Sequence, residues 1–449
     1  MAAGIGLGIS MGWAVAKKGF SAVIQGLFAI LEARSTYFEN ANNSKLSVQE
    51  LETAGLLDKA SIILTPTGYS KDAIHNVKPS SGTFGDMTLI QNGTTTRVNE
   101  SGLVASNTTD IPRVDYSKGE GAILSELSSV NQIRYSEDFS NALWTKGAIG
   151  LTSSTGTSPR GTSQTLYTIT RQPASGDGLH AALASAGVDQ GIGMSVWLRR
   201  VSGPGSTGQV WIGREPQTSP LTPSEGELVT VGSDWQRFEY KTTDFPASTT
   251  RMYINPQFSH YFQVWGAQAE KAATSRTGRL SSYIPTTSIS VTRARDNYLN
   301  GGDASLIGAQ EGVLFVEAAT SANQAATNKG IALSANNSAA NRVALFFGYS
   351  SNQLTAYVQG GGTTTAIYAT VTDQTAFNKI AIKYKSGDIA LWVNGTEIST
   401  STNTFTFSAA LSELALDQGN GSQHMDGHVK QLAVFKEVLS DAELAALTS

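Results

Sequence analysis

The 449-residue chain contains no cysteine. This absence excludes disulfides, Cys-ligated zinc, thiolate nucleophiles and iron–sulfur clusters together, so stability must come from packing or from association of subunits. Charged residues make up only 15% of the chain, and its formal net charge is −4. Such a chain has no broad basic field to attract a nucleic acid, and we expect no nucleic-acid partner.

Long hydrophobic runs are also scarce. The apolar N-terminal stretch is interrupted by Lys17 and Lys18, before the roughly twenty residues that a bilayer span needs. It lacks the basic start and the small-residue cleavage site of a secretory signal. Read as a helix, it has a heptad seam at Trp13, Ala16, Phe20, Val23, Leu27 and Ile30.

Three interpretations of this helix stay open. We favour an anchor that self-associates or fits a socket, because Gly12, Gly19 and Gly26 add a second stripe of small residues suited to close approach. A helix lying on a membrane and an ordinary core helix are the alternatives.

The rest of the chain is a series of short alternating apolar runs separated by Gly, Asn, Pro and Ser clusters. This pattern predicts a mainly β fold with tandem antiparallel β-sandwiches (jelly rolls) behind an N-terminal helical anchor. Capping boxes predict short helices starting at Ser47, with Gly55 as the stop, and at Ser440. The expected segments are a helical anchor (1–60), a strand-and-loop adaptor (61–133), a first sandwich (134–295) and a second sandwich (296–449).

Two Asn-Gly pairs predict tight hairpins. One is Asn92-Gly93. The other is Asn394-Gly395 in "DIALWVNGTEIS", where alternation puts Leu391 and Val393 on one face of the strand and Ala390 and Trp392 on the other.

The C-terminal part, about residues 310 to 447, resembles the concanavalin-A-like, laminin-G-like jelly rolls. The residues that carry the resemblance are, in order, "FNKIAIKYKSGDIALWVNGTEIS", "LSELALD" and "DGHVKQLAVFKEVLSDAELAAL". The resemblance implies the fold strongly and the ligand only loosely, since the family includes sugar binders, protein binders, enzymes and spacers.

The preceding part, about residues 61 to 295, resembles the carbohydrate-binding-module type of jelly roll in bacteriophage structural proteins. The matching stretches are "TTTRVNESGLV", "IPRVDYSKGEGAIL", "IRYSEDFSNALWTKG", "MSVWLRR", "DWQRFEY" and "VWGAQAEKAATSRTGRLSSYIPT". The resemblance implies a virion protein, such as a fibre, spike or tail appendage, that attaches to other virion proteins through its N-terminus. A homotrimer that binds a host-surface glycan is the expected form.

Two other functions stay open. One is a capsid decoration or spacer with no specific ligand, and the other is a secreted bacterial adhesin or glycan-degrading enzyme. We expect no catalysis, because glycosidases on this fold need paired acids on one strand, in the pattern Glu-x-Asp-x-Glu. The nearest cluster, Glu225 and Glu227, lacks the third acid.

A sugar site on a jelly roll combines an exposed aromatic ring with polar side chains. Trp235 and Tyr261 are the candidate aromatic residues, whereas most other tryptophans lie in core-like strand runs. The polar loop 416–427 supplies the remaining candidates. In it, Asp417, Asn420 and Asp426 are candidate oxygen ligands for Ca²⁺, with His424 beside them as a further ligand-binding candidate. A hydrophilic turn is the alternative for this loop, and no other cofactor is expected.

Overall fold

The structure is a computed structural model that describes residues 19–39, 42–80, 85–172, 178–184, 190–214, 226–242, 251–257, 259–274, 280–323 and 329–449. Its helices are α1 (Ala22–Arg34), α2 (Asn42–Thr53) and α3 (Asp441–Thr448). Its strands are β1 (Tyr37–Phe38), β2 (Ala60–Leu64), β3 (Gly68–Ser70), β4 (Ala73–Ile74), β5 (Met87–Ile90), β6 (Thr95–Val98), β7 (Val104–Asn107), β8 (Val114–Asp115), β9 (Ala122–Ser125), β10 (Ser129–Asn131), β11 (Trp144–Gly147), β12 (Ile149–Thr157), β13 (Ser163–Arg171), β14 (Gly178–Ala182), β15 (Gln190–Ser202), β16 (Gly208–Arg214), β17 (Gly226–Val231), β18 (Gln236–Thr242), β19 (Arg251–Pro256), β20 (Tyr261–Thr274), β21 (Val291–Arg293), β22 (Asn297–Leu299), β23 (Glu311–Thr320), β24 (Lys329–Ser334), β25 (Arg342–Phe347), β26 (Gln353–Gly360), β27 (Thr363–Thr370), β28 (Asn378–Lys385), β29 (Ile389–Val393), β30 (Thr396–Ser401), β31 (Glu413–Ala415) and β32 (Gly427–Phe435).

The chain divides into two compact units. Unit 1 contains Met1–Ile90, Asp110–Ser125 and Asn297–Ser449, and unit 2 contains Gln91–Thr109 and Glu126–Asp296. The four consecutive segments expected from the sequence do not coincide with these units, because β2 and β9 both pair with β32. Strands from the expected anchor and adaptor segments therefore complete a sheet of the C-terminal sandwich.

Unit 1 confirms the predicted antiparallel sandwich. One sheet has the order β30-β29-β28-β23-β32-β9-β8, with β2 also paired to β32, and the other has the order β27-β26-β25-β24-β31. Leu391 and Val393 on β29 face the core shared by these sheets. Ala390 and Trp392 face a second core, on the outer side of the first sheet, as alternation predicted. The first sheet is therefore covered on both faces.

Helix α1 packs in that second core, and the side that it buries lies one position away from the predicted heptad seam. The buried residues are Ile24, Phe28 and Leu31, whereas Val23 and Ile30 are 56% and 47% exposed. Phe20 and Leu27 are partly buried against the same core. The seam residues Trp13 and Ala16 lie outside the described residues. Within the described part of the chain, no helix is long and apolar enough to cross a membrane.

Local turn and cap signals are partly confirmed. Asn394 and Gly395 have φ angles of 47° and 82°, as a two-residue hairpin between β29 and β30 requires. Ser440 forms its capping box with Glu443. Ser47 does not cap a helix, because α2 begins at Asn42 and the Ser47 hydroxyl donates back to the Asn43 carbonyl. Gly55, with φ of 71°, follows the end of α2 as predicted.

Unit 2 is also a sandwich of two five-stranded sheets, with the orders β11-β14-β19-β16-β17 and β12-β13-β20-β15-β18. Inward-facing residues such as Met194, Val210 and Ile254 form its core. Trp197, Trp265 and Tyr283 form a separate aromatic cluster on the other side of the second sheet. The predicted hairpin at Asn92-Gly93 is wrong, because β5 pairs with β4 and β22 while β6 pairs with β7.

Candidate functional site

The β27-β26-β25-β24-β31 sheet of unit 1 presents aromatic side chains to solvent on its outer face. Along β27, Thr365, Ile367 and Ala369 point inward, which leaves Tyr368 pointing outward. The backbone of Tyr368 pairs with Thr355 on β26, and Thr355 pairs with Phe346 on β25. We call this surface the tyrosine face; its residues are Arg342, Phe346, Tyr349, Gln353, Thr355, Tyr357, Gln359 and Tyr368.

Two tyrosines dominate the exposed part of this face. Tyr349 is 61% exposed and Tyr368 is 48% exposed. Their ring centroids are 6.5 Å apart, and the ring planes meet at 41°. Nothing in the folding of the sandwich requires two large rings in solvent, so this pair is the feature of the described residues that most resembles a binding platform.

The rest of the tyrosine face is more closely packed. The Arg342 guanidinium lies 4.7 Å from the Tyr357 ring centroid, and Tyr357 meets the edge of Phe346 at 5.7 Å. Oε1 of Gln353 and Oγ1 of Thr355 are buried without a hydrogen-bond partner among the described residues. Buried polar atoms are normally hydrogen-bonded, so this face has unused hydrogen-bonding capacity beside its exposed rings.

The predicted loop 416–427 borders the tyrosine face on the side of β24 and Arg342. Gly419 packs so closely that a Cβ atom there would be 2.9 Å from the Ser334 Cβ, and its φ is 87°. Arg342 donates a hydrogen bond to the Gln418 carbonyl over 2.9 Å. The sequence therefore identified a loop next to the tyrosine face, although it missed the face itself.

The candidate Ca²⁺ ligands in this loop already serve the protein. Asp417 and Asp426 are buried, whereas Asn420 is exposed. Oδ1 of Asp417 accepts a hydrogen bond from the Gly419 amide over 2.5 Å, and Oδ1 of Asn420 accepts from the Ser422 hydroxyl over 2.7 Å. Among the described residues, no group of three or more His, Asp or Glu side chains could hold a metal ion. The donor set therefore fits Ca²⁺ poorly, and no function is derived from it.

His424 is the other candidate in this loop. Its side chain is buried, and its backbone forms a bridge with Gly330 at the start of β24. Asp426 likewise bonds to Ser321 through its backbone carbonyl and, over 3.3 Å, through Oδ1. These contacts attach the end of the loop to the sandwich.

The two candidate aromatic residues from the sequence lie in unit 2. Trp235 is half-buried, with Nε1 donating to the Thr157 carbonyl over 3.0 Å and the Arg199 guanidinium 4.9 Å from its ring centroid. Its ring is therefore engaged in packing rather than presented as a free platform. Tyr261 is 46% exposed at the start of β20.

A separate hydrogen-bonded row lies in unit 1 outside the tyrosine face. Nε2 of His75 is 2.9 Å from the Ser70 hydroxyl, and its Nδ1 is 2.8 Å from Oδ2 of Asp86. This order of groups is also that of a serine nucleophile with its base and orienting acid. The Ser70 hydroxyl additionally contacts the amide and hydroxyl of Thr36, at 3.2 and 3.1 Å, and Arg34 pairs with Asp86 at 3.3 Å. The row thus joins the end of α1 to β3 and β5.

The tyrosines escaped the sequence analysis because they lie in apolar strand runs that look like core. The overlooked signal is the alternation along β27, which places Tyr368 on the opposite face of the strand from Thr365, Ile367 and Ala369. Tyr349 follows β25 and precedes a polar turn, so neither its position nor its neighbours marked it as a site.

The class that the fold defines for the C-terminal region is an antiparallel β-sandwich of two facing sheets. Residues 316–445 match the family model described as laminin G-like, in the concanavalin A-like lectin/glucanases superfamily. The match spans less than half of the chain. No curated protein matches the chain.

Several solved structures resemble part of the chain at low identity. The CBM40 domain of a Ruminococcus gnavus IT-sialidase bound to α2,3-sialyllactose is 18% identical, with 32% of this chain and 86% of that chain covered and a TM-score of 0.28. Domain 4 of AbnA, an extracellular arabinanase from Geobacillus stearothermophilus in complex with arabinotriose, is 13% identical, with coverage of 38% and 82% and a TM-score of 0.28. A SAP-like pentraxin from Limulus polyphemus is 12% identical, with coverage of 31% and 70% and a TM-score of 0.25.

Proposed function

We propose that this chain is a non-catalytic carbohydrate-binding protein and that the tyrosine face of unit 1 is its glycan site. The observation that carries this proposal is the pair of solvent-exposed rings, Tyr349 and Tyr368, on the outer face of the sheet. The match of residues 316–445 to a lectin-containing superfamily is consistent with it.

The chemistry of the face suits a sugar. The C–H faces of a pyranose stack on aromatic rings, while its hydroxyls need donors and acceptors close to those rings. Tyr349 and Tyr368 supply the rings, and Gln353 and Gln359 lie on the outward side of the adjacent strand. Arg342 is held against Tyr357 and the loop, so it shapes the edge of the site.

We further propose that the protein is a structural component of a bacteriophage virion, either a fibre, a spike or a tail appendage, that attaches to host-surface glycans. The support for this is the resemblance of residues 61 to 295 to phage structural proteins. A homotrimer attached through its N-terminus to other virion proteins would present several glycan sites at once. Avidity would then compensate for the weak affinity of each site. The alternative is a decoration or spacer protein with no specific ligand.

The glycan proposal is tested on the intact chain with a glycan array. Removing residues 300 to 449 is not an informative test, because β2 and β9 would lose their partner strand β32. The double variant Tyr349→Ala/Tyr368→Ala should lose binding of the glycan that the wild type binds most strongly on the array, and it should keep its thermal midpoint. Ile398→Ala removes an exposed apolar side chain from the other sheet and is the matched control. Undiminished binding of that glycan by the double variant would overturn the site.

The virion proposal is tested by locating the protein in purified particles and counting its copies. A copy number divisible by three at each attachment point is expected of a trimeric fibre or spike. Particles that lack the chain would overturn it.

A further inference from the structure

Unit 2 contains a groove of about 710 Å³ that the proposed function does not use. Three parts of unit 2 line it, namely residues 135–138, strand β13 and the segment before β21. The lining includes Tyr135, Glu137, Asp138, Gln164, Thr165 and Thr287. We propose that this groove is a second, independent carbohydrate site that binds neutral saccharides. The ligand class rests on the proposed carbohydrate-binding function, whereas the site itself does not depend on the tyrosine face.

Tyr135 is held in an unusual conformation beside this groove. Its φ is 52°, in the left-handed region that non-glycine residues rarely adopt. Its amide donates to the Thr287 carbonyl over 2.7 Å, and its carbonyl accepts from the Trp144 indole over 3.0 Å. Backbone strain of this kind persists only where the surroundings enforce it, and it concentrates at functional sites. Here it fixes an aromatic side chain on the groove wall.

Asp138 presents an acceptor to the groove. Its Oδ1 accepts hydrogen bonds from the Ser140 amide, the Ser140 hydroxyl and the Tyr167 hydroxyl, at 3.1, 2.6 and 2.7 Å. These three bonds all use Oδ1, and the Asn141 amide also interacts with the carboxyl group. Burial alone would raise the pKa of Asp138, but the hydrogen bonds from Ser140 and Tyr167 outweigh burial and lower the pKa. The carboxylate is therefore charged at neutral pH and accepts strongly.

The remaining polar lining supplies further hydrogen-bonding groups. Gln164 and Thr165, consecutive residues of β13, also line the groove. Thr287 is exposed at the opposite wall. An aromatic ring, a carboxylate, an amide and hydroxyls in one concave surface are what a polyhydroxylated ligand needs.

The charge of the groove selects against acidic sugars. Its described lining contains the carboxylates of Glu137 and Asp138 and no lysine or arginine. Arg160 pairs with Glu137 at 3.3 Å, and Lys146, which is not part of the lining, attracts Asp138 from the side of the Ser140 and Asn141 carbonyls. A sialic acid or a uronic acid would face this carboxylate, whereas a neutral sugar would donate hydroxyls to it.

The test measures binding of neutral and acidic trisaccharides to the full chain by saturation-transfer NMR and calorimetry. Maltotriose, mannotriose, galactotriose and chitotriose form the neutral panel, and 3′-sialyllactose is the acidic probe. The protein used is the Tyr349→Ala/Tyr368→Ala variant, so any signal must come from elsewhere in the chain. We expect at least one neutral trisaccharide to bind this variant and sialyllactose to give no signal.

Three substitutions then locate the site. Asp138→Asn keeps the side-chain shape and should weaken binding about tenfold. Tyr135→Asn removes the ring, and asparagine tolerates the positive φ at this position. This variant should also weaken binding at least tenfold. Thr165→Trp fills the groove without touching the Asp138 hydrogen bonds, which keeps the test decisive if the other two variants unfold. Val201→Asn, at an exposed residue of unit 2 outside the groove lining, is the control and should leave binding unchanged.

The results separate the two proposals. If no neutral saccharide binds unit 2, either in the double tyrosine variant or in the wild type, the groove proposal is overturned. This holds even if the wild type binds other glycans through the tyrosine face. Binding that persists in Thr165→Trp, or that is lost in Val201→Asn, would also overturn it. Groove binding without any loss in the double tyrosine variant on the array would overturn the tyrosine face alone.

Discussion

The buried side of α1 offers a sharp test of how the N-terminal segment is used. Phe28 is 2% exposed in a core that also contains Trp392, whereas Val23 on the same helix is 56% exposed. Truncating a buried phenylalanine to alanine costs about 3–5 kcal/mol, and an exposed substitution usually costs less than about 0.5 kcal/mol. Phe28→Ala should therefore destabilise unit 1 by about 4 kcal/mol, and Val23→Ala should have almost no effect.

Urea denaturation followed by tryptophan fluorescence measures this difference. Unfolding of the two units need not be a single transition, so the shift should appear in the transition that reports Trp392, and Trp392→Phe identifies that transition. Equal costs for Phe28→Ala and Val23→Ala would refute the packing of α1 in this core. The exposed residues Val23 and Ile30 remain the surface through which a trimer would associate, and Val23→Asp should then reduce the sedimentation mass without lowering monomer stability.

Other predictions concern stability, chemistry and pH. Asp86→Asn should lower the free energy of unfolding, measured by urea denaturation, by about 2 kcal/mol, since hydrogen bonds to a charged group contribute about 1.5–3 kcal/mol. An unchanged midpoint would contradict a structural role for the hydrogen bonds that join Ser70, His75 and Asp86. Ser70→Ala should leave p-nitrophenyl acetate hydrolysis at the wild-type level, because we propose no catalysis, and a Ser70-dependent burst would show a nucleophile. Asn394→Ala should cost about 1–2 kcal/mol, because alanine strains at a φ of 47°, whereas Asn394→Gly should be tolerated better in the same thermal assay. The pKa of Asp138 is lowered in the folded state. The contribution of Asp138 to stability is therefore complete above the unfolded pKa of about 3.9 and is lost as pH falls through the folded pKa. Melting profiles at pH 3 and 7 should differ less in Asp138→Asn than in the wild type.

The strand faces around the Asn394-Gly395 hairpin of the C-terminal sandwich were predictable because alternation and turn chemistry act locally. The Asn394-Gly395 hairpin and the strands on either side of it follow the predicted faces. Helix α1 shows the limit of that reasoning. Its two neighbouring apolar stripes, one with Val23 and one with Phe28, differ by a single position, and only the long-range partner surface decides which is buried.

Long-range pairing explains the other differences. Asn92-Gly93 carries a hairpin signal, yet the chain passes there from unit 1 to unit 2, and the strands on its two sides find partners elsewhere. The pairing of β2 with β32 joins residues more than 350 positions apart, and no local pattern announces it.

The site was less predictable than the fold. Loop 416–427 was found from its polar composition, but the contacts of Asp417 and Asn420 within the loop depend on a turn that composition does not specify. Tyr349 and Tyr368 come together only because the turn after β25 lies beside β27, which is a property of the folded sheet. Trp235 was expected to be available, but Arg199 from another strand occupies its ring.

The most direct measurement of the central claim is the affinity of the intact chain for its best array glycan, with and without Tyr368. Tyrosine buries about 150–250 Å² when fully covered, and Tyr368 is 48% exposed, so a sugar covering half of that exposed area removes about 50 Å² from water. At about 25 cal/mol per Å² this contributes about 1.3 kcal/mol, or roughly a tenfold change in Kd. A tenfold weaker Kd in Tyr368→Ala at an unchanged melting temperature is the predicted result. An unchanged Kd would contradict the assignment of the tyrosine face as the glycan site.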